Sequence, residues 1–261
     1  MFKHLHKYLL QSVLLAAVLL CSLPSYAQKP HAQAAQPQSS LENKIQDSIL
    51  GLLHHIDVVK KEDSLKMAND ELMAYLKRVC TKVPATLNMK YKKVETEMDI
   101  TSSDDNKVRV YSWKSSFEGT YYNILMQYKG SKNPIVWQMN NADDPLSSST
   151  VPTSIKSIQT AGKKTVYIVV EGVFGSHGLE TEKAVAYTIT NDQMLAIPLF
   201  QTETGTEKEV SYHIASINDY DPEINIHLSP DKKTLYIPVS GKEYSVYKFN
   251  GTKFVYDKNA K

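Results

Sequence analysis

The feature that most constrains this chain is a change of hydrophobic period near Met89. Before it, apolar residues recur every three or four positions; after it, they alternate. Leu41, Ile45, Ile49, Leu52, Leu53 and Ile56 form one helical stripe, and Leu65, Ala68, Leu72, Leu76, Val79 and Val83 form a second. Ser39 and Glu42 have capping-box spacing and predict the first helix start. Pro84 stops the second helix. Lys60 to Ser64 is the only charged break between the stripes, so a helical hairpin and one bent helix both fit.

From Met89 onward the pattern is strand-like. Val108 to Trp113, Tyr121 to Tyr128, Pro134 to Met139, Thr165 to Val170, Ala184 to Ile189 and Met194 to Phe200 are candidate strands. Val210 to Ala215, Ile224 to Leu228, Leu235 to Val239 and Tyr244 to Phe249 continue the series. Turn signals separate them, including Asp104-Asp105-Asn106, Asn191-Asp192 and Ser229-Pro230-Asp231. Phe249-Asn250-Gly251 before Lys253 to Tyr256 is the clearest hairpin. The fold class predicted is mainly β with N-terminal α-helices. It is an antiparallel meander, whether sandwich, barrel or propeller-like, covered by one or two amphipathic helices whose stripes must be buried. Residues 39–84 are the helical segment and 85–261 the β-rich domain, with 39–261 read as one globular unit.

The start of the chain points to export. Lys3 and Lys7 precede an apolar run from Tyr8 to Leu20, and Ser25 and Ala27 place small residues before a cleavage point. Residues 1–27 are therefore expected to be a signal peptide, and the Gln-, Ala- and Pro-rich residues 28–38 a flexible linker. The run is shorter than the roughly 20 residues that span a bilayer, and the mature chain has no transmembrane segment. Cys21 would suit lipid anchoring better with a small residue before it, where Leu20 stands. The expected location is periplasmic or extracellular.

Cleavage would remove Lys3, Lys7 and Cys21, leaving 28 basic residues against 28 Asp plus Glu and a single cysteine, Cys80. No intramolecular disulfide can then form, and Cys80, inside a helical pattern, reads as a small core residue. Arg78 and Arg109 are the only arginines. Surfaces that grip phosphates favour the guanidinium fork, so a nucleic-acid partner is not expected.

Catalytic signatures are hard to find. Beyond the expected signal peptide no histidines stand in an HxH or HExxH pair, although His213 and His227 lie in neighbouring candidate strands. The run GVFGSHG at Gly172 to Gly178 lacks the glycine two positions before Ser176 that a nucleophile elbow needs. Asn218, Asp219, Asp221 and Glu223 are dense in oxygen ligands but contain Pro222 and lack the loop glycine of an EF-hand, so a solvated turn is the simpler reading. No catalytic residue, metal or cofactor is assigned.

Aromatic residues are more suggestive. Trp113, Tyr121, Tyr122, Tyr128 and Trp137 fall on three successive candidate strands. Core and cross-strand packing is their simplest role; on one open sheet face they would line a glycan or peptide groove. Arg109 shares a strand face with Tyr111 and Trp113, so its guanidinium could stack on a ring or meet a ligand carboxylate. The candidate ligand-binding residues are accordingly Arg109, Tyr111, Trp113, Tyr122 and Trp137.

The run DSLKMANDELMAYLKRVCTKVPATL, followed by ITSSDDNKVRVYSWKSSFEGTYYNILMQYKG, resembles a family of uncharacterised exported proteins of Bacteroidota-type bacteria. Its marks are a helix ending at Pro84-Ala85-Thr86, an S-x-D-x-x-x-R-x-Y-S-W strand at Ser103 to Trp113, and LSPDKKTLYIPV leading to a closing VYKFNGTKFVY hairpin. The resemblance spans Asp63 to Tyr256 and implies export, but it carries no known activity and no catalytic residue. The expected function is that of a non-enzymatic, exported, β-rich binding or interaction protein of the cell envelope, its partner a protein, peptide or glycan. A secreted hydrolase with dispersed carboxylates and a structural envelope component are the alternatives.

Overall fold

A computed structural model describes residues 38–115, 122–139, 149–175, 178–214, 224–240 and 243–260. The expected signal peptide, and the linker up to residue 37, lie outside the described residues. So do Tyr121, Ser176, His177 and the acidic run 218–223. No helix among the described residues is long and apolar enough to cross a membrane.

Two helices come first, α1 (Gln38–Val58) and α2 (Glu62–Lys82), followed by a short 3-10 turn, Pro84–Leu87. The chain breaks at Val59 to Lys61, which decides for two helices over one bent one. Helix α1 already runs through Ser39, so the predicted cap residue is inside the helix instead of at its N-cap. The stripes face inward as their period requires: Ile45, Ile49, Leu53 and Ile56 are buried on α1, and Ala68, Leu72, Leu76 and Cys80 on α2.

Fifteen strands follow among the described residues, in three sheets. Sheet A is the meander β1 (Asp99–Ser102), β2 (Val108–Lys114), β3 (Tyr122–Lys129) and β4 (Pro134–Gln138). Sheet B is built on the long strands β5 (Ser149–Gln159), β6 (Thr165–Gly175) and β7 (Gly178–Thr190). The free side of β7 is shared by β8 (Gln193–Ala196) and β11 (Glu209–His213). Sheet C has the order β10 (Thr206–Glu207), β9 (Phe200–Gln201), β15 (Phe254–Tyr256), β14 (Glu243–Phe249), β13 (Thr234–Ser240), β12 (His227–Leu228). Every pairing is antiparallel except β15 with β9.

Side-chain alternation explains the layering. On β2, Tyr111 and Trp113 pack on the helices, whereas Val108 and Val110 pack on sheet B. On β6, Tyr167 and Val169 meet sheet A, whereas Val166, Ile168 and Val170 meet sheet C. Sheet B is thus covered on both faces, and for that reason β6 opens as an unbroken apolar run, TVYIVV, without polar alternation. The order is helices, sheet A, sheet B, sheet C.

Two strands that matter for the site escaped the alternation test. Strand β5 contains Pro152 and a register shift between Pro152 and Ser154. Val151 and Ile155 both pack toward sheet A, and the shift between them leaves Thr153 without a cross-strand partner in the register. Proline is tolerated because β5 is an edge strand. Strand β1 is only four residues long. The turn that follows it is tied across all three sheets. Asp104 accepts hydrogen bonds from the Ser157 amide (2.9 Å) and hydroxyl (2.7 Å) and from Lys232, which also donates to the Ser157 carbonyl at 3.1 Å. The closing hairpin is present: Gly251 has φ +96°, and Asn250 Oδ1 caps the turn by accepting from the amides of Thr252 and Lys253 at 2.9 Å.

Candidate functional site

The helix-facing side of sheet A is unusually polar for a buried surface. Asn69 of α2 has its amide fully used: Oδ1 accepts from Trp113 Nε1 (3.0 Å) and Asn123 Nδ2 (2.8 Å), and Nδ2 donates to the carbonyls of Leu65 and Ser115. One layer on, Gln127 Nε2 donates to Cys80 O and Thr86 Oγ1, both at 2.8 Å, and Gln127 Oε1 accepts from the Tyr111 hydroxyl at 2.9 Å. The Tyr91 and Tyr111 hydroxyls lie 3.1 Å apart with their rings edge to face. Burial pushes the Cys80 thiol up to about 11 despite the nearby Arg109 charge, so it stays protonated at neutral pH. Burial also raises Tyr91 and Tyr111 well above the ordinary phenol range.

Arg109 is the exception in this network. Only 7% of it is exposed. Its Nε donates to Ser102 Oγ at 2.8 Å, and Nη1 donates to the carbonyls of Thr86 (2.6 Å) and Met89 (2.8 Å). The guanidinium carbon lies 5.3 Å from the Tyr91 ring centre. No carboxylate among the described residues pairs with it; the Tyr91 hydroxyl interacts weakly with the guanidinium, and no hydrogen bond of ordinary length reaches Nη2 among them. A buried charge in that condition is costly, since removal from water is offset only by good partners. The other buried ionic groups are handled differently. Glu171 lies 3.3 Å from Lys183, and Glu182 accepts the Ile226 amide at 2.8 Å.

Arg109 lines a cleft of about 920 Å³. The cleft follows β1 on one side and reaches Val151 to Thr153 of β5 on the other. Its helix-side wall is Met89, Tyr91 and Arg109; its sheet B wall is Val151 with Tyr122 and Phe174, whose rings lie 5.6 Å apart. Exposed Lys90 and Lys92 stand at the rim, with the exposed carboxylates of Glu95 and Asp99.

The five residues singled out in the sequence do not form one aromatic strip. Arg109, Tyr111 and Trp113 do share a face, as the alternation predicts, but the helices cover it, and Tyr111 and Trp113 are fully buried. Tyr122 is half-buried on the opposite face of sheet A, against Phe174. Trp137, 38% exposed, meets the edge of Tyr187 of sheet B. Arg109 stacks over Tyr91 and over neither of the rings on its own strand. Two of the five, Arg109 and Tyr122, meet in the cleft. His213 and His227 belong to different sheets; His213 Nδ1 is 3.1 Å from the Thr181 hydroxyl, and His227 stacks on Tyr236.

Met89, Tyr91, Met98 and Phe174 complete the cleft and were not singled out in the sequence. Residues 88–98 form no strand and no regular helix, so no period marks them. The one available signal was Arg109 itself, a cation flanked by Val108 and Val110 in a chain with two arginines. No three of the described His, Cys, Asp and Glu side chains are placed to hold a metal ion. No family, curated protein or solved structure matches the chain.

Proposed function

We propose that this chain is a non-enzymatic, exported binding protein of the cell envelope, periplasmic or extracellular, which anchors an anionic ligand in the cleft beside β1. The observation that carries this reading is the Arg109 guanidinium, nine-tenths buried with no hydrogen bond of ordinary length to Nη2 among the described residues, in the wall of an open cleft. Three hydrogen bonds fix its position, so the ordering of a long side chain precedes binding, which favours affinity. A carboxylate would complete the fork and neutralise the charge. At the rim Lys90 and Lys92 are matched by Glu95 and Asp99, so the attraction for an anion rests on Arg109.

Binding is favoured over catalysis by the state of the lining carboxylates. Glu95 and Asp99 are both exposed and stand at the rim of the cleft. Export rests on the charged, apolar and small-residue order of residues 1–27 and on the resemblance to the exported Bacteroidota-type family.

Thermal unfolding in succinate or phosphate, at ionic strength matched with chloride, tests the anion site. Wild-type protein is expected to gain stability with rising anion concentration, as any ligand of the folded state requires. Arg109→Gln is expected to lose that gain. Equal gains in both proteins would contradict the proposal.

A further inference from the structure

The free edge of β1 gives this site a ligand class, and the inference rests on the anion-anchoring reading above. The β1–β2 ladder shows which β1 groups are occupied. The Ser103 amide donates to the Val108 carbonyl at 2.8 Å, with Thr101 opposite Val110 and Asp99 opposite Ser112. Those residues turn their main-chain groups toward β2, so Ile100 and Ser102 turn theirs away from it. Among the described residues no main-chain hydrogen bond reaches that outer edge. A strand edge in this state is a template for a further strand.

The cleft wraps around this edge. Met89 and Arg109 wall it on the helix side of sheet A, and Val151 and Phe174 on the sheet B side. An added strand sends successive side chains to opposite faces, so a single extended segment would meet both walls. Arg109 is held to Ser102 of β1 itself, which places its charge within the span of the paired segment. We propose that the cleft takes an extended peptide that adds to β1 and sets a carboxylate on Arg109 Nη2.

The test passes a pooled hexapeptide library with free C-termini over the immobilised exported form of the chain. The best retained peptide is then synthesised unmodified, with its C-terminus amidated, with acidic side chains changed to amides, and with alternate main-chain nitrogens methylated. Binding of the unmodified peptide is expected to weaken about tenfold or more with Arg109→Gln, the scale of one lost charged hydrogen bond. N-methylation in one of the two registers is expected to weaken it by a similar factor. The two amide forms show whether the carboxylate is terminal or from a side chain. Arg109→Lys, which keeps the charge but not the fork, guards against a folding defect in Arg109→Gln. If the methylated peptides bind as well as the unmodified one while Arg109→Gln still weakens binding, strand addition is wrong and the anion cleft stands. If no peptide is retained while succinate still stabilises the wild type through Arg109, the peptide class is wrong and the cleft stands. If neither Arg109 variant changes any binding, both readings fall.

Discussion

Two interfaces of this molecule are built on opposite plans. Between sheets B and C the contact is largely apolar, with Ile168, Phe200, Leu235, Tyr247 and Phe254 packed together, the Phe200 and Phe254 rings stacked at 6.0 Å, and the buried Glu182 satisfied by the Ile226 amide. Between the helices and sheet A, Asn69, Gln127, Thr86 and Arg109 are buried among the apolar residues. An apolar contact is stabilised roughly in proportion to its area and tolerates small shifts. A polar one depends on each hydrogen bond having its partner. The difference teaches where to look for function. The amides of Asn69 and Gln127 are paired at both ends, so they fix how the helices sit on the sheet. Arg109 belongs to the same interface yet keeps one nitrogen that no described residue pairs at ordinary distance, at the point where that interface opens into the cleft.

The contrast can be broken by mutation. The largest loss is expected from Phe254→Ala in the apolar interface. The ring is fully buried, and truncations of this kind cost about 3–5 kcal/mol, to be read from denaturant unfolding. Next is Gln127→Leu, which removes three hydrogen bonds and leaves Cys80 O and the Thr86 and Tyr111 hydroxyls short of a partner. A loss of about 1–3 kcal/mol is expected by the same measurement. If the apolar swap were neutral, the polar interface would not be specified by its hydrogen bonds.

A smaller effect tests the tie across the sheets. Burial opposes the charge of Asp104, but hydrogen bonds from Lys232 and Ser157 outweigh it and bring the carboxyl down from 3.8 to about 2. A carboxyl depressed on folding stabilises above its unfolded value, and that contribution fades as the pH falls through the folded one. Stability should therefore drop between about pH 4 and pH 2 by about 1 kcal/mol, after allowance for solvent screening of this partly exposed pair. Asp104→Asn should remove that part of the pH dependence. The smallest effect is expected at the exposed Lys66–Asp70 pair on α2, 2.6 Å apart, where Asp70→Asn, close to Asp in helix propensity, should cost about 0.3 kcal/mol.

The large parts of this fold are legible in the sequence because each carries a period. The helical stripes and the alternating β2 announce themselves this way, and the Asn250-Gly251 hairpin does so through its turn residues. The cleft does not, for three physical reasons. Strand β1 is too short to alternate visibly, and the register shift at Pro152 disguises β5. Residues 88–98 bury Met89, Tyr91 and Met98 from irregular backbone. The placement of Tyr111 and Trp113 on one face was readable, as was a helical cover, but not that this is the face the helices cover; that depends on contacts distant in the chain. Arg109 stood out as chemistry, whereas its depth and the nitrogen that no described residue pairs at ordinary distance are visible only in the structure.

Arginine NMR tests the central claim most directly, because Arg78 and Arg109 are the only arginines in the sequence. Protein labelled in its arginines with ¹⁵N should give two guanidinium spin systems, one from exposed Arg78 and one from buried Arg109. Titration with succinate at constant ionic strength should shift and sharpen the Arg109 Nη signals and leave those of Arg78 in place. Equal movement of both, or none in either, would show that the buried guanidinium is a structural group closed to ligands.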